Sequence, residues 1–413
     1  MKKQNNFDQS NKQTPRGQKP TTHKSGKNKK LSRFLAWHKN LWSADTREFF
    51  AHKLFYIIVF ASLGFVFLAS LVFMIVDTAT GAISGNPTTN QGGFPSRLIA
   101  PFVDMTSWVP VTNNYSVNGV ADIAKVSDET SINYFHLGFI QPDQTTPLDA
   151  EGNIRWCWGG YPSISENGAD AYQYAGIVYA IDAIRERGGD VCISFGGQFG
   201  KAPWAVSKSA EKLKNMYVDV IKTYNCKRID LDIEESNQDE AENRINAQAV
   251  AAAQAETGVA VSLTIPIMPY GWENKQIKLI RAYLDAGVDI ALINSMTMCY
   301  GAGLNAGEDY GDASVRAITT SIGQMQKIYS DYGINLTPAQ AYAKTGATMA
   351  IGYESSLYPT FTTAMAKKVT DDAIKNNYGM LSFWSINRDA KMESNRAISQ
   401  VYQYYNVLKT YVK

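Results

Sequence analysis

The sequence predicts an α/β fold: a (β/α)8 TIM barrel over residues 97–413, preceded by a single transmembrane helix and a disordered basic N-terminal tail. Three observations carry this expectation. After residue 97, short apolar runs alternate with amphipathic helical patterns about eight times, as parallel strands do when each is covered by a helix. Residues 54–76 form a stretch of 23 residues without a charge. The charge is also unevenly divided: residues 1–53 hold 13 Lys/Arg against three Asp/Glu, whereas the other 360 residues carry 27 basic and 35 acidic groups.

Taken in order, residues 1–30 are rich in Gln, Asn, Lys, Thr and Gly, and with so few apolar groups cannot offset the entropy of ordering. Residues 1–53 are therefore expected to be a mostly disordered cytoplasmic tail. Within them, Leu31, Phe34, Leu35, Leu41, Trp42, Phe49 and Phe50 recur among Arg33, Lys39 and Arg47, a pattern that fits either an amphipathic helix on a membrane surface or an irregular linker. At 1.5 Å per residue, segment 54–76 is long enough to span a bilayer. Basic residues precede it and Asp77 follows it, which places the N-terminus in the cytoplasm and the barrel outside the cell. A cleaved signal peptide would have a shorter apolar core, so an uncleaved anchor is expected. Residues 77–96, rich in Thr, Gly, Ala, Asn and Pro, have the composition of a flexible stalk.

Strands are expected at 98–105, 134–140, 191–195, 228–234, 260–265, 290–298, 347–352 and 380–385. Helices are expected at 171–187, 209–224, 240–256, 276–286, 313–332, 362–376 and 395–408. An open doubly wound sheet would call for a glycine-rich phosphate turn after its first strand, and residues 98–108 contain none. With 45% hydrophobic and 19% charged residues, the chain can bury a large core. Cys157, Cys192, Cys226 and Cys299 are too scattered for a disulfide scaffold and read as buried free thiols, although a pairing of Cys192 or Cys226 stays open outside the cytoplasm. Three of the four histidines fall in the first 53 residues. No metal, no cofactor and no nucleic-acid partner is expected.

The chemistry concentrates in Arg228-Ile229-Asp230-Leu231-Asp232-Ile233-Glu234. In an extended chain Asp230, Asp232 and Glu234 project to one side, neighbours roughly 6.6 Å apart, while the aliphatic residues face the other. Like charges so placed raise the proton affinity of a carboxyl, which is how a general acid is made. The plainer alternative is a wet acidic face on an edge strand.

This run resembles the family 18 glycoside hydrolase signature Asp-x-x-Asp-x-Asp-x-Glu of chitinases and related enzymes, with Lys227 at its first position. Ser194-Phe195-Gly196-Gly197, Met296-Thr297-Met298-Cys299-Tyr300-Gly301 and Ser382-Phe383-Trp384-Ser385-Ile386-Asn387-Arg388-Asp389 stand in the order and spacing the family requires. The resemblance covers about residues 97–405. It implies a substrate-assisted retaining cleavage of β-1,4-linked N-acetylglucosamine glycans, in which the sugar's own acetamido group attacks. Glu234 would protonate the leaving oxygen, Asp232 would hold the acetamido N–H, Asp230 would set the protonation of Asp232, and Tyr300 would hydrogen-bond the acetamido group. Trp384 would form the floor under a sugar ring, with Ser194, Gly197 and Met298 completing the substrate-binding set. Many members have Tyr then Asp where this chain has Met298 then Cys299. A non-hydrolytic, glycan-binding protein at the cell surface is the second reading.

Overall fold

The computed structural model describes residues 91–412, all within the compact unit Gly85–Lys413. The expected basic tail, the amphipathic stretch, the span at 54–76 and the stalk up to residue 90 lie outside the described residues. Among those described, no helix is long and apolar enough to cross a membrane.

Eight parallel strand positions curl into a barrel. The first is written in two pieces, β1 (Leu98–Ile99) and β2 (Phe102–Asp104), separated by Ala100 and Pro101. The insertions after them are a small hairpin, β3 (Ser116–Val117) with β4 (Val120–Ala121). Next come β5 (Tyr134–Pro142), its antiparallel companion β6 (Trp156–Trp158), β7 (Asp190–Gly196) and β8 (Arg228–Asp232). The ring continues through β9 (Ala260–Pro266), β10 (Ile290–Met296), β11 (Thr345–Ala350) and β12 (Met380–Trp384).

Closure depends on the split first strand. The N–H groups of Leu98 and Ala100 donate to Gly379 and Leu381 on the β12 side, at 3.3 and 3.0 Å. Past Pro101, the bonds pass to the other neighbour: His136 N donates to the Pro101 carbonyl at 3.0 Å and Met105 N to Gly138 at 3.1 Å. Proline has no N–H to offer, so the ladder is interrupted there while its carbonyl still serves β5. Each of the eight expected strands is present. The helices form where expected at Ala171–Glu186, Ala210–Thr223, Glu240–Thr257, Asn274–Asp285, Tyr310–Ser330 and Thr363–Asn376. Side-chain caps start several of them: Ser209, Asp239, Asp309 and Thr362 each accept a first-turn N–H that the helix itself leaves without a partner.

The seventh expected helix, 395–408, is a correction. Only Tyr405–Leu408 is α-helical, followed by a 3-10 turn at Lys409–Val412. Backbone donors that a helix would direct inward are taken by side chains instead. The buried Asp389 carboxylate accepts from Tyr404 N at 2.9 Å and Tyr405 N at 2.8 Å, and Asn395 Oδ1 accepts from Ala397 N at 3.1 Å. Tyr402, at φ +58°, turns the chain so that Tyr402, Tyr404 and Tyr405 are all buried.

The end of the expected stalk also differs. Phe94 is buried among Leu98, Ala100, Cys192, Leu292 and Met380, which together fill the barrel interior at the N-terminal ends of the strands. Its ring lies 4.9 Å from that of Tyr134 and 4.9 Å from the Arg228 guanidinium, which also donates to Gln91 Oε1. A Cβ at Gly92 would come within 2.1 Å of the Lys227 carbonyl. Residues 91–94 thus belong to the folded unit, drawn in because an aromatic ring there covers apolar surface and a buried cation.

Candidate active site

Along β8, Ile229 and Leu231 join the large apolar layer between sheet and helices, so Asp230 and Asp232 point into the barrel, as the two-residue period requires. Glu234 lies two residues past the strand but remains extended, at φ −134° and ψ 171°. The three carboxyls therefore share one side.

Each has a different setting. Asp230 is fully buried and accepts three hydroxyl donors: Ser194 Oγ on Oδ2 at 2.7 Å, with Ser262 Oγ and Thr264 Oγ1 on Oδ1, both at 2.8 Å. Burial pushes its proton affinity up to about 6, against the pull of those donors and of Arg228. Asp232 is raised well above the carboxylate range by burial, then by the charges of Glu234 and Asp230. Its Oδ1 is sealed from solvent without a hydrogen-bond partner. Glu234 is pushed up to about 7, first by burial and then by the charges of Glu235 and Glu354.

The chain at the end of β7 fixes Asp232 from behind. Gly197 N donates to the Asp232 carbonyl at 3.1 Å, and a Cβ on Gly196, at φ +106°, would lie 2.2 Å from that same oxygen. Ser194 and Gly197, expected in the substrate-binding set, hydrogen-bond to the two aspartates, Ser194 Oγ to the Asp230 carboxyl and Gly197 N to the Asp232 carbonyl; Ser194 is fully enclosed. Met298 is half-buried just past β10. Trp384, at the end of β12, is half-buried and stacks on Phe139 with centroids 5.8 Å apart and planes 15° from parallel. Phe102 meets it from below at 6.3 Å. The Gly138–Phe139 and Trp384–Ser385 peptides are cis.

No family model matches the chain. Curated proteins do. Over 312 residues it is 29% identical to the probable bifunctional chitinase/lysozyme of Escherichia coli, covering 73% of this chain and 32% of that one. Over 310 residues it is 28% identical to endochitinase 11 of Metarhizium anisopliae, covering 73% of this chain and 54% of that one. The chain resembles chitinases. It spans between a third and a little over half of the length of these relatives. Among solved structures, the catalytic domain of a hyperthermophilic chitinase from Pyrococcus furiosus superposes with a TM-score of 0.62 at 24% identity, over 79% of this chain and 98% of that one. Catalytic-site mutants of active domain 2 of the thermostable chitinase from the same organism, complexed with chito-oligosaccharides, give a TM-score of 0.62 at 23% identity, over 78% and 96%. These two likenesses establish that this chain has a chitinase-like barrel fold.

In this chitinase-like barrel, Tyr300 does not join the acids. Its hydroxyl donates to Ser314 Oγ at 3.0 Å, and its ring meets Tyr310 edge-on at 5.2 Å, against the helix Tyr310–Ser330. The cause is one residue earlier. Cys299 sits at φ +49°, which breaks the strand alternation and turns Tyr300 toward the helix layer. The Cys299 thiol is left within reach of the charges of Glu354, Arg388 and Glu234. Burial, then Glu354, pushes it up to about 12, so it stays a thiol and not a nucleophile.

The sequence reading also missed Glu354 and Arg388. Arg388 is ion-paired with Glu354 and, through Nε, with Glu393 at 3.0 Å. Glu354 follows β11 by four residues, and Arg388 lies inside the Ser382–Asp389 stretch; a position just beyond the C-terminal end of a barrel strand was the available signal. No group of His, Cys, Asp and Glu among the described residues could hold a metal ion.

Proposed function

We propose that this chain is a glycoside hydrolase that cleaves β-1,4-linked N-acetylglucosamine glycans, of the kind its chitinase relatives are named for, by a substrate-assisted retaining route. The observation that carries this reading is the row Asp230, Asp232 and Glu234, three buried or half-buried acids on one side, the outer two paired to no cation among the described residues. Glu234, half ionised only near pH 7, holds a proton at working pH and gives it to the leaving glycosidic oxygen. The substrate's acetamido oxygen attacks the anomeric carbon as that bond breaks. The Asp232 Oδ1, buried and without a partner, takes the acetamido N–H and so holds the acetamido oxygen against the anomeric carbon. Water then opens the cyclic intermediate, giving its proton to the Glu234 carboxylate, so the acid is restored and the anomeric configuration retained. Trp384 on Phe139 supplies a flat apolar floor for the sugar.

Replacing Glu234 with Gln removes the proton donor while keeping size and polarity. Product analysis on an N-acetylchitooligosaccharide should show hydrolysis by the native chain, a loss of about 10²-fold or more in Glu234→Gln, and binding retained. A native chain that binds the oligosaccharide and never cleaves it would be a glycan-binding protein instead.

The uncharged segment at 54–76, with basic residues before it and Asp77 after it, supports a single-pass anchor with the barrel outside the cell. Protease added to intact cells should then degrade the barrel and spare the tail; a protected barrel would reverse this topology.

A further inference from the structure

We propose that Thr348 and Asn294, on the two strands beyond β9, are positioning residues that bias the Thr264 hydroxyl toward donating to Asp230 and so favour the ionised form of that carboxyl. This deepens the hydrolase reading and rests on it for its catalytic meaning.

The chain of contacts crosses four adjacent strands. Thr348 Oγ1 on β11 donates to Asn294 Oδ1 on β10 at 2.8 Å; Asn294 Nδ2 donates to Thr264 Oγ1 on β9 at 3.0 Å; Thr264 Oγ1 donates to Asp230 Oδ1 on β8 at 2.8 Å. All four residues are buried, none more than 2% exposed. A hydroxyl has one proton and two lone pairs; with one lone pair taken by the Asn294 amide N–H, the Thr264 proton is left for the carboxylate. Turning the Asn294 amide over would point its oxygen at Thr264 and draw that proton away from Asp230, and Thr348, by donating to Asn294 Oδ1, favours the orientation seen.

Ser262 shows the contrast. Its hydroxyl also reaches Asp230 Oδ1, but the Ile229 carbonyl lies 3.3 Å away, so it can turn aside when the carboxyl is neutral. Thr264 has the Asn294 amide N–H on its far side where Ser262 has a carbonyl, and Thr348 favours that amide orientation by donating to its oxygen end. The other groups facing Asp230 are Arg228 and Asp232 on its own strand and Ser194 and the Cys192 thiol on β7; β9 presents hydroxyls only.

The test is a titration of full-length protein labelled with carboxyl-¹³C aspartate, the Asp230 signal being assigned by its loss in Asp230→Asn. In Thr348→Val and in Asn294→Ala the Asp230 midpoint should rise by about one pH unit relative to the native chain, and in Thr348→Ser, which keeps the donor, it should stay at the native value. The acid limb of the pH–rate profile on a chitooligosaccharide should move with it. An unchanged midpoint in either folded variant, or Thr348→Ser behaving like Thr348→Val, overturns the proposal. Because the titration needs no substrate, it decides the matter even if the native chain hydrolyses nothing, an outcome that would sink only the hydrolase reading.

Discussion

At the scale of single residues, Glu234 is governed by groups on other strands as much as by its own. Glu354 adds negative charge beside it, and Arg388 holds Glu354 in place. Glu354→Gln removes that charge and leaves Arg388 short of a partner, and both changes favour the ionised form of Glu234. The alkaline limb of the pH–rate profile should therefore shift toward lower pH by about half a unit, which a profile between pH 5 and 9 would measure. Stability follows the same logic. Glu234 has a folded-state proton affinity above the ordinary carboxyl value of 4.5, so its contribution is complete below pH 4.5 and is lost as pH rises through about 7. Glu234→Gln, which cannot ionise, should unfold at higher denaturant than the native chain at pH 8, by on the order of 2 kcal/mol, with the gap closing at pH 5. The acid row was legible in the sequence because side-chain alternation is strict in a strand. Tyr300 was misplaced because a single left-handed residue, Cys299, reverses that alternation, and nothing in a cysteine announces a positive φ.

At the scale of elements, strand positions were legible and the last helix was not. Most of the parallel strands, buried on both faces, read as short apolar-rich runs, while β8 was legible from its alternation of acids with aliphatic residues. The segment 395–408 has apolar spacing that fits a helix, yet its backbone donors are claimed by Asp389, fifteen and sixteen residues away in sequence from Tyr404 and Tyr405. Long-range capture of this kind leaves no local trace. Asp389→Ala should leave those two buried N–H groups without partners and lower stability by about 2–4 kcal/mol in chemical denaturation. The turn after β7 is under a different constraint. Gly196→Ala would drive a methyl group into the Asp232 carbonyl at a φ that L-residues avoid; the expected outcome is a loss of hydrolysis larger than the loss of stability, because the displaced atom belongs to the acid row.

At the scale of the whole molecule, the barrel has two unlike ends. The C-terminal end of the strands gathers Asp232, Glu234, Glu354, Arg388 and Trp384. At the other end lie Leu98, Ala100, Cys192, Leu292 and Met380, closed by Phe94. Composition alone assigned residues 91–96 to a stalk, since one Phe among Gly, Gln, Pro and Ser gives no period to detect. Phe94→Ala should cost about 3–5 kcal/mol by the cavity it opens and the cover it strips from Arg228, read as a lower midpoint in urea with the pH–rate profile of the surviving folded protein unchanged. That plug also decides how the acids can be reached. Because Gln91, Gly92 and Phe94 pack against Lys227, Arg228 and the apolar floor, the pole opposite the carboxyls is shut, and whatever meets the acid row must enter from the other pole.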